Sequence, residues 1–392
     1  MYDTAEQTST DHLLRPDLDE RARQAFAKHL RQFVFGAARG AAREAWVRRV
    51  APAMAARQPA TAPDRRSARE ALLHEPEYQF FSDLHRISQE HIWNSSADSV
   101  ERESAALRDA FLSLRTPQGT LRLDPSLEIP AYLRAMDTHC MPGGYHTDWT
   151  EHDLSNGALY ERGSFLYAPG GGPRNEAAGR SSLAYLRARA PGCTPRRMLD
   201  LGCGTASPLL PYAEAFPAAQ LHGVDIGAPL LRFAHLRAER LGIALHLRQA
   251  DAAATGYPSD HFDLVTSHIM FHETSAGAVP AILAEAHRML APGGLLLIVD
   301  LPDAGRIPDV FQQVVFDGDA YYNNEHFWMQ MHELDWAAEL GKAGFARAGL
   351  EFGVAPMQAY VAPSTTDPNP GWNSGRFGFF AVLARKAAGD AP

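Results

Sequence analysis

The chain has 392 residues, 45% of them apolar and 21% charged, proportions of a soluble globular protein long enough for one large domain or two ordinary ones. Its net charge of −9 disfavours a general nucleic-acid binder, and no run of about eighteen apolar residues offers a membrane span. Three irregularly spaced cysteines, Cys140, Cys193 and Cys203, supply neither a disulfide framework nor a zinc knuckle. The N-terminus lacks the basic-then-apolar pattern of a signal peptide, so a cytoplasmic location is expected.

The first third reads as helical. "PDLDERARQAFAKHLRQFVF" (16–35) opens on a proline and acids, and Phe26, Leu30, Phe33 and Val34 recur at helical spacing. Helices are also expected over 43–57, 77–93 and 99–114, the last starting at Ser99. Between residues 21 and 69 about twelve Arg or Lys face only Glu44 and Asp64. Solvated faces of Ala-rich helices account for them; an anionic-partner patch would need interleaved aromatics, which are not evident. Residues 1–120 are therefore expected to form a helical accessory domain, through which a homodimer is conceivable.

A Pro-punctuated connection (116–130) leads to a Gly- and aromatic-rich stretch, so 121–176 is expected to be a connecting or lid segment. From 177 to 392 helices and strands alternate. Strands are expected near 197–201, 221–225, 244–249, 262–267 and 295–300, then near 345–352 and 377–385. Helices fall near 181–190, 207–216, 228–241, 278–290 and 331–344. The last two strands, joined by a Pro/Ser/Asn/Gly loop without a helix, imply a reversed strand added to a parallel sheet.

The deciding stretch is "MLDLGCGTASPLLPYAEAFP" (198–217). An apolar strand runs into a turn with Gly202 and Gly204, where a missing side chain lets backbone approach a ligand. A dinucleotide fingerprint wants a third glycine; Ser207 stands there instead, followed by Pro208, as the N-cap and first residue of a helix. Asp225 ends the next strand, where an acid can accept from both ribose hydroxyls, and Asp251 follows the one after, within reach of an adenine amino group.

With "FDLVTSHIMFHET" and "LAPGGLLLIVD" following, this succession resembles the class I S-adenosylmethionine-dependent methyltransferases over about residues 181–385. The resemblance implies a Rossmann-like, doubly wound α/β fold with a seven-stranded sheet and a reversed last strand, behind a mainly α-helical N-terminal domain. It implies S-adenosylmethionine as cofactor. Asp200, Gly202 and Gly204 would surround its methionine end, with Tyr160 nearby. Asp225 and Ile226 would border the ribose, and Asp251 with Ala252 the adenine.

Methyl transfer to a small-molecule acceptor through O, C or N is the implied activity. His272 and His268, in the loop after the fourth core strand, are the candidates to take a proton from an acceptor that arrives protonated. Tyr145, His146, Tyr321 and Trp328 are candidates to line the acceptor side. His268 and His272 are four apart but lack a third ligand at a telling spacing, so no metal is expected. Two alternatives stay open. One is an enzyme that consumes the cofactor without moving its methyl, for example by cyclising its aminobutyrate arm. The other is an RNA or protein methyltransferase recruited by the basic helices.

Overall fold

The computed structural model of the chain describes residues 13–57, 60, 62–167, 174–301, 307–356 and 378–389. The glycine run at 168–173 and the loop expected between the last two strands (357–377) lie outside the described residues.

Eight strands form one sheet: β1 Thr120–Arg122, β2 Arg197–Leu201, β3 Gln220–Asp225, β4 Leu245–Gln249, β5 Phe262–His268, β6 Leu290–Asp300, β7 Leu350–Pro356 and β8 Gly378–Arg385. Their order is β1-β4-β3-β2-β5-β6-β8-β7. All pairs through β6 are parallel, and β8 runs antiparallel between β6 and β7. The reversed strand is present, and the expected seven strands are eight. The extra one, β1, comes from the connecting segment and pairs with β4. Three residues are too short to show an alternating pattern. Their docking rests on Gly119, where an added Cβ would lie 2.1 Å from the Leu245 carbonyl oxygen. The Gln118 and Gly119 N–H groups also donate to the Glu239 carboxylate, at 2.8 and 2.7 Å.

Both faces of the sheet are covered, which is why β5 and β6 read as apolar runs rather than alternations. On one face Leu199, Leu201, Val265, Leu296 and Ile298 pack against the helix Val279–Met289 and against Trp336 and Leu340. On the other, Met198, Leu264 and Leu297 meet Leu183, Leu186, Tyr212 and Leu231. Odd and even positions of one strand thus serve opposite layers.

The expected helix 331–344 divides into Trp328–Glu333 and Trp336–Lys342, because Leu334 is extended and Asp335 starts the second helix by accepting from the Ala338 N–H.

In the N-terminal region, Asp17 and Glu20 cap the helix Leu18–Phe33 reciprocally. The expected start at Ser99 is not a boundary: Pro76–Leu112 is one helix of 37 residues. The polar run that reads as a turn is satisfied inside it. Ser95 and Ser96 donate to the Ile92 carbonyl, at 3.1 and 2.8 Å, and Ser99 donates to Glu20 at 3.0 Å. This region shares a core with the rest of the chain: Ile92, Trp93 and Leu107 pack with Met141, Leu159, Phe233 and Leu236.

Part of the basic stretch is matched by the chain's own acids. Arg23 pairs with Asp98, Arg43 with Asp309, Arg49 with Glu75 and Glu77, and Arg65 with Asp317. No helix among the described residues is long and apolar enough to cross a membrane.

Candidate active site

The parallel strands deliver their C-terminal ends to one edge of the sheet, where doubly wound folds bind ligands. After β2 the chain turns through Gly202, Gly204 and Ala206, all with positive φ (67°, 52° and 59°). At Gly202 an added Cβ would also stand 2.6 Å from the Met270 side chain, so glycine is required twice over. At Gly204 the nearest neighbours of such an atom are Leu230 and Tyr160, both at 3.9 Å. Half-buried Tyr160 therefore borders the turn.

Asp225 ends β3 and closes this turn. Its Oδ2 accepts from the Gly204 N–H and its Oδ1 from the Gly227 N–H, each at 2.8 Å. Burial pushes its pKa up to about 6, against the lowering effect of those two N–H groups. Ile226 lies just beyond, half-buried, its carbonyl accepting from Gln249 at 3.0 Å. After β4, Asp251 accepts from the Ala253 N–H at 2.8 Å, with Ala252 half-buried between them.

Asp200 is fully buried. Its Oδ1 accepts from Thr266 and faces His268 Nδ1, both at 2.7 Å, while its Oδ2 is buried without a hydrogen-bond partner among the described residues. The second nitrogen of His268 lies 2.6 Å from Ser182 Oγ, which is itself 2.8 Å from the Tyr212 hydroxyl. Both ring nitrogens of His268 are thus engaged inside the fold.

The helix Ser155–Tyr167 and the stretch before it pack on the same edge. Glu161, on the helix Ser155–Tyr167, accepts from Thr205 and Ser207 (2.9 and 3.1 Å) and pairs with Arg237 at 2.7 Å. Ser207 therefore is not the N-cap the sequence suggests; its hydroxyl serves this bridge instead. The Tyr145 backbone lies against Gly227, whose added Cβ would be 2.4 Å from the Tyr145 carbonyl oxygen. His146 follows, half-buried, and burial lowers its pKa.

A cluster of histidines and carboxylates stands beside this turn. Asp300, at the end of β6, accepts from the Met270 and Phe271 N–H groups and holds His272 Nδ1 at 2.9 Å. His272 Nε2 lies 3.5 Å from Glu273 Oε1. That oxygen also accepts from the Tyr145 hydroxyl at 2.7 Å and faces His139 Nε2 at 2.6 Å. His139 Nδ1 stands 2.8 Å from Glu325. Burial alone would lower the His139 pKa, yet Glu325 and Glu273 lift it to about 10. Asp300 and Glu273 likewise outweigh burial and raise His272 well above its ordinary value. Glu273 is driven down, its burial overcome by the two imidazoles.

Two of the expected acceptor-side residues part company. Trp328 is buried with its ring centroid 6.4 Å from that of His272. Tyr321 is 53% exposed and lies under the Arg69 guanidinium, 3.8 Å away, so it belongs to a helix–helix contact and not to the site. Sequence reasoning passed over His139, Glu325, Asp300 and Glu161. Asp300 carried a signal, since it ends an apolar strand as Asp225 does. His139 and Glu325 sit in stretches without periodicity, and only the folded chain brings them together.

Residues 198–294 match a family model described as "Methyltransferase domain". This stretch of the chain is similar to methyltransferase domains. Among curated proteins, it is similar to a demethylmenaquinone methyltransferase of Thermus thermophilus, 37% identical over 108 residues, 28% of this chain and 48% of that protein. It is also similar to the ubiquinone/menaquinone biosynthesis C-methyltransferase UbiE of Dinoroseobacter shibae, 29% identical over 42% of this chain and 73% of that protein. The Dinoroseobacter protein apart, the chain spans about half the length of these relatives or less. Among solved structures, phosphoethanolamine N-methyltransferase 2 of Haemonchus contortus with S-adenosyl-L-methionine aligns at 20% identity and a TM-score of 0.40, over 61% of this chain and 59% of that one. The matched residues are the part of the fold that holds the turn, Asp225 and the loop with His272.

Proposed function

We propose that the chain binds S-adenosylmethionine at the turn after β2 and transfers its methyl to a small-molecule acceptor. The observation that carries this reading is the meeting, at one sheet edge, of Asp200 and Asp225 with the buried histidine–carboxylate cluster. The donor side fits the cofactor. Each Asp225 oxygen keeps a free lone pair for a ribose hydroxyl beyond the N–H group it already accepts. The unpartnered Asp200 Oδ2 is a buried acceptor whose cost a ligand donor would relieve.

When bound, the cofactor supplies a methyl group on a positively charged sulfur. The chain's own task is to align the acceptor and exclude water. Gly202, Gly204 and Tyr160 would border the methionine end, Ile226 the ribose, and Asp251 with Ala252 the adenine. Tyr145, His146 and Trp328 would stand on the acceptor side. His268, held on both nitrogens, is assigned to positioning Asp200. His272 Nε2, 3.5 Å from Glu273 Oε1, is assigned to the acceptor's reacting group; because Asp300 and Glu273 favour its protonated form, it takes the proton of a hydroxyl or carbon acid only in the unprotonated fraction, which grows with pH. The three cysteines, all free, accord with the cytoplasm.

The pairing of the N-terminal arginines with acids of the same chain speaks against recruitment of RNA. Mass spectrometry of the purified chain with S-adenosylmethionine, alone and with extracts of the source cells, tests the reading. S-adenosylhomocysteine formed only with extract, alongside a product heavier by one methylene, is expected. Methylthioadenosine formed from the cofactor alone would replace methyl transfer with breakdown of the cofactor itself.

A further inference from the structure

We infer that His139, His272 and Glu273 form a binding site for a divalent first-row transition-metal ion. One ligand-type atom from each of the three residues lies within 4.8 Å of the others. Two atoms each about 2.1 Å from one ion can stand up to about 4.2 Å apart, so little side-chain rotation closes the set around an ion. The ion would take the place of the short His139–Glu273 contact.

The surroundings match a metal centre more closely than an ordinary ion pair. Each imidazole turns Nε2 toward Glu273 and has a second carboxylate on Nδ1: Asp300 for His272, Glu325 for His139. Once an ion displaces the proton from Nε2, that outer pair holds the remaining proton on Nδ1, the tautomer that metal-bound histidines require. Glu325 is 3% exposed, and its other oxygen is buried without a hydrogen-bond partner among the described residues. Glu273, Asp300 and Glu325 together place three carboxylates around two imidazoles, a field that favours a cation.

The backbone is also committed to this arrangement. His139 adopts φ 57°, a left-handed conformation a non-glycine residue takes at a cost. Its carbonyl is pinned by the Trp93 indole N–H at 2.6 Å and the Gln89 amide at 2.9 Å, both from the long N-terminal helix. Such strain persists only where the surroundings over-determine it. His272 and Glu273 are neighbours in sequence but His139 comes from a distant stretch of chain, which is why spacing gave no sign of the set.

Ligand chemistry selects the ion. Two imidazoles favour a transition metal over Mg2+ or Ca2+, which prefer oxygen, and two histidines with one carboxylate leave coordination positions open. With an ion bound, His272 Nε2 is a ligand and no longer takes the acceptor's proton; the ion would instead stand where the acceptor's oxygen arrives and could polarise it as a Lewis acid. The site itself does not depend on that reading.

The test is a titration of the metal-stripped full chain with Co2+, followed by its visible d–d absorption, with neither cofactor nor acceptor present. One equivalent of Co2+ giving saturable bands, displaced by Zn2+, is expected. Glu273→Gln and His139→Gln should each abolish the bands, and Asp300→Asn should weaken binding by roughly 10- to 100-fold. The exposed His29→Ala should leave the titration unchanged. No stoichiometric bands in the unaltered chain, or bands that survive both Glu273→Gln and His139→Gln, would overturn the inference. Absence of methyl transfer would leave it standing.

Discussion

Gly204 donates its backbone N–H to Asp225 Oδ2 at 2.8 Å, so the glycine turn after β2 and the acid at the end of β3 are one rigid unit. Asp225→Ala removes the ribose acceptor and that tie together. Loss of charge-assisted hydrogen bonds of this kind costs about 1.5–3 kcal/mol. Calorimetric titration with S-adenosylmethionine should show affinity weaker by roughly 10- to 150-fold; unchanged affinity would remove Asp225 from the cofactor site.

The same carboxylate sets a pH dependence. Burial raises Asp225 to about 6, with the charges of Glu273 and Asp200 adding to it and the N–H groups of Gly227 and Gly204 opposing. The charged form accepts two hydroxyls well; the protonated form accepts poorly. Cofactor affinity should therefore hold above pH 6 and decline as pH falls through 6, well before ordinary carboxylates titrate. A flat affinity between pH 7.5 and 5.5 would show that the ribose is held by other groups.

His272→Ala should lower turnover about a hundredfold or more if the imidazole handles the acceptor's proton. Cofactor affinity should stay near its original value, because Asp225 and the glycine turn remain. Turnover at saturating acceptor and a calorimetric titration separate the two effects. An unaltered rate would return His272 to the role of fastening Glu273 and Asp300.

How the site was legible depends on which residues pattern can see. Asp200, Gly202, Gly204 and Asp225 sit at strand ends and in a tight turn, where local chemistry constrains residue type, so the sequence marked them. His268 was marked by the same logic but lies on the wrong side of its strand end, bonded to Asp200 and Ser182. Tyr321 was marked by aromatic density, which cannot distinguish a site wall from a seat for Arg69. His139 reaches Glu273 and Glu325 from a stretch whose carbonyl is held by Trp93 and Gln89 of the long helix Pro76–Leu112. Strand β1 was missed for a related reason: its three residues carry no period, and its place is set by the absent side chain of Gly119.

Glu20 joins the two N-terminal helices through Arg102 and Ser99. The Arg102 hydrogen bond, against the opposing effect of burial, lowers its pKa to about 2 from the usual 4.5. A depressed carboxylate contributes stability above its unfolded value and loses it as pH falls toward its folded one. Stability should thus decline between about pH 4.5 and 2, and Glu20→Gln should flatten that part of the profile while costing about 1.5–3 kcal/mol at neutral pH. Denaturant midpoints across that range measure both; a Glu20→Gln profile parallel to the original would assign the acid sensitivity elsewhere.

Gly163 marks where the helix Ser155–Tyr167 meets the long N-terminal helix. An added Cβ would lie 2.0 Å from Trp93 Cζ3, a ring atom with no flexible end to yield. Gly163→Ala must therefore push the indole aside, and overpacking of this kind typically costs about 1–3 kcal/mol, partly offset by the better helix propensity of alanine. The displacement reaches the site, because Trp93 Nε1 holds the His139 carbonyl at 2.6 Å. Denaturant unfolding should give a lower midpoint, and the tryptophan emission of the native state should shift. Adding Trp93→Leu opens the space and should restore part of the stability lost to Gly163→Ala, a non-additivity that tests the contact directly. Strictly additive single and double variants would show that the two residues do not press on one another.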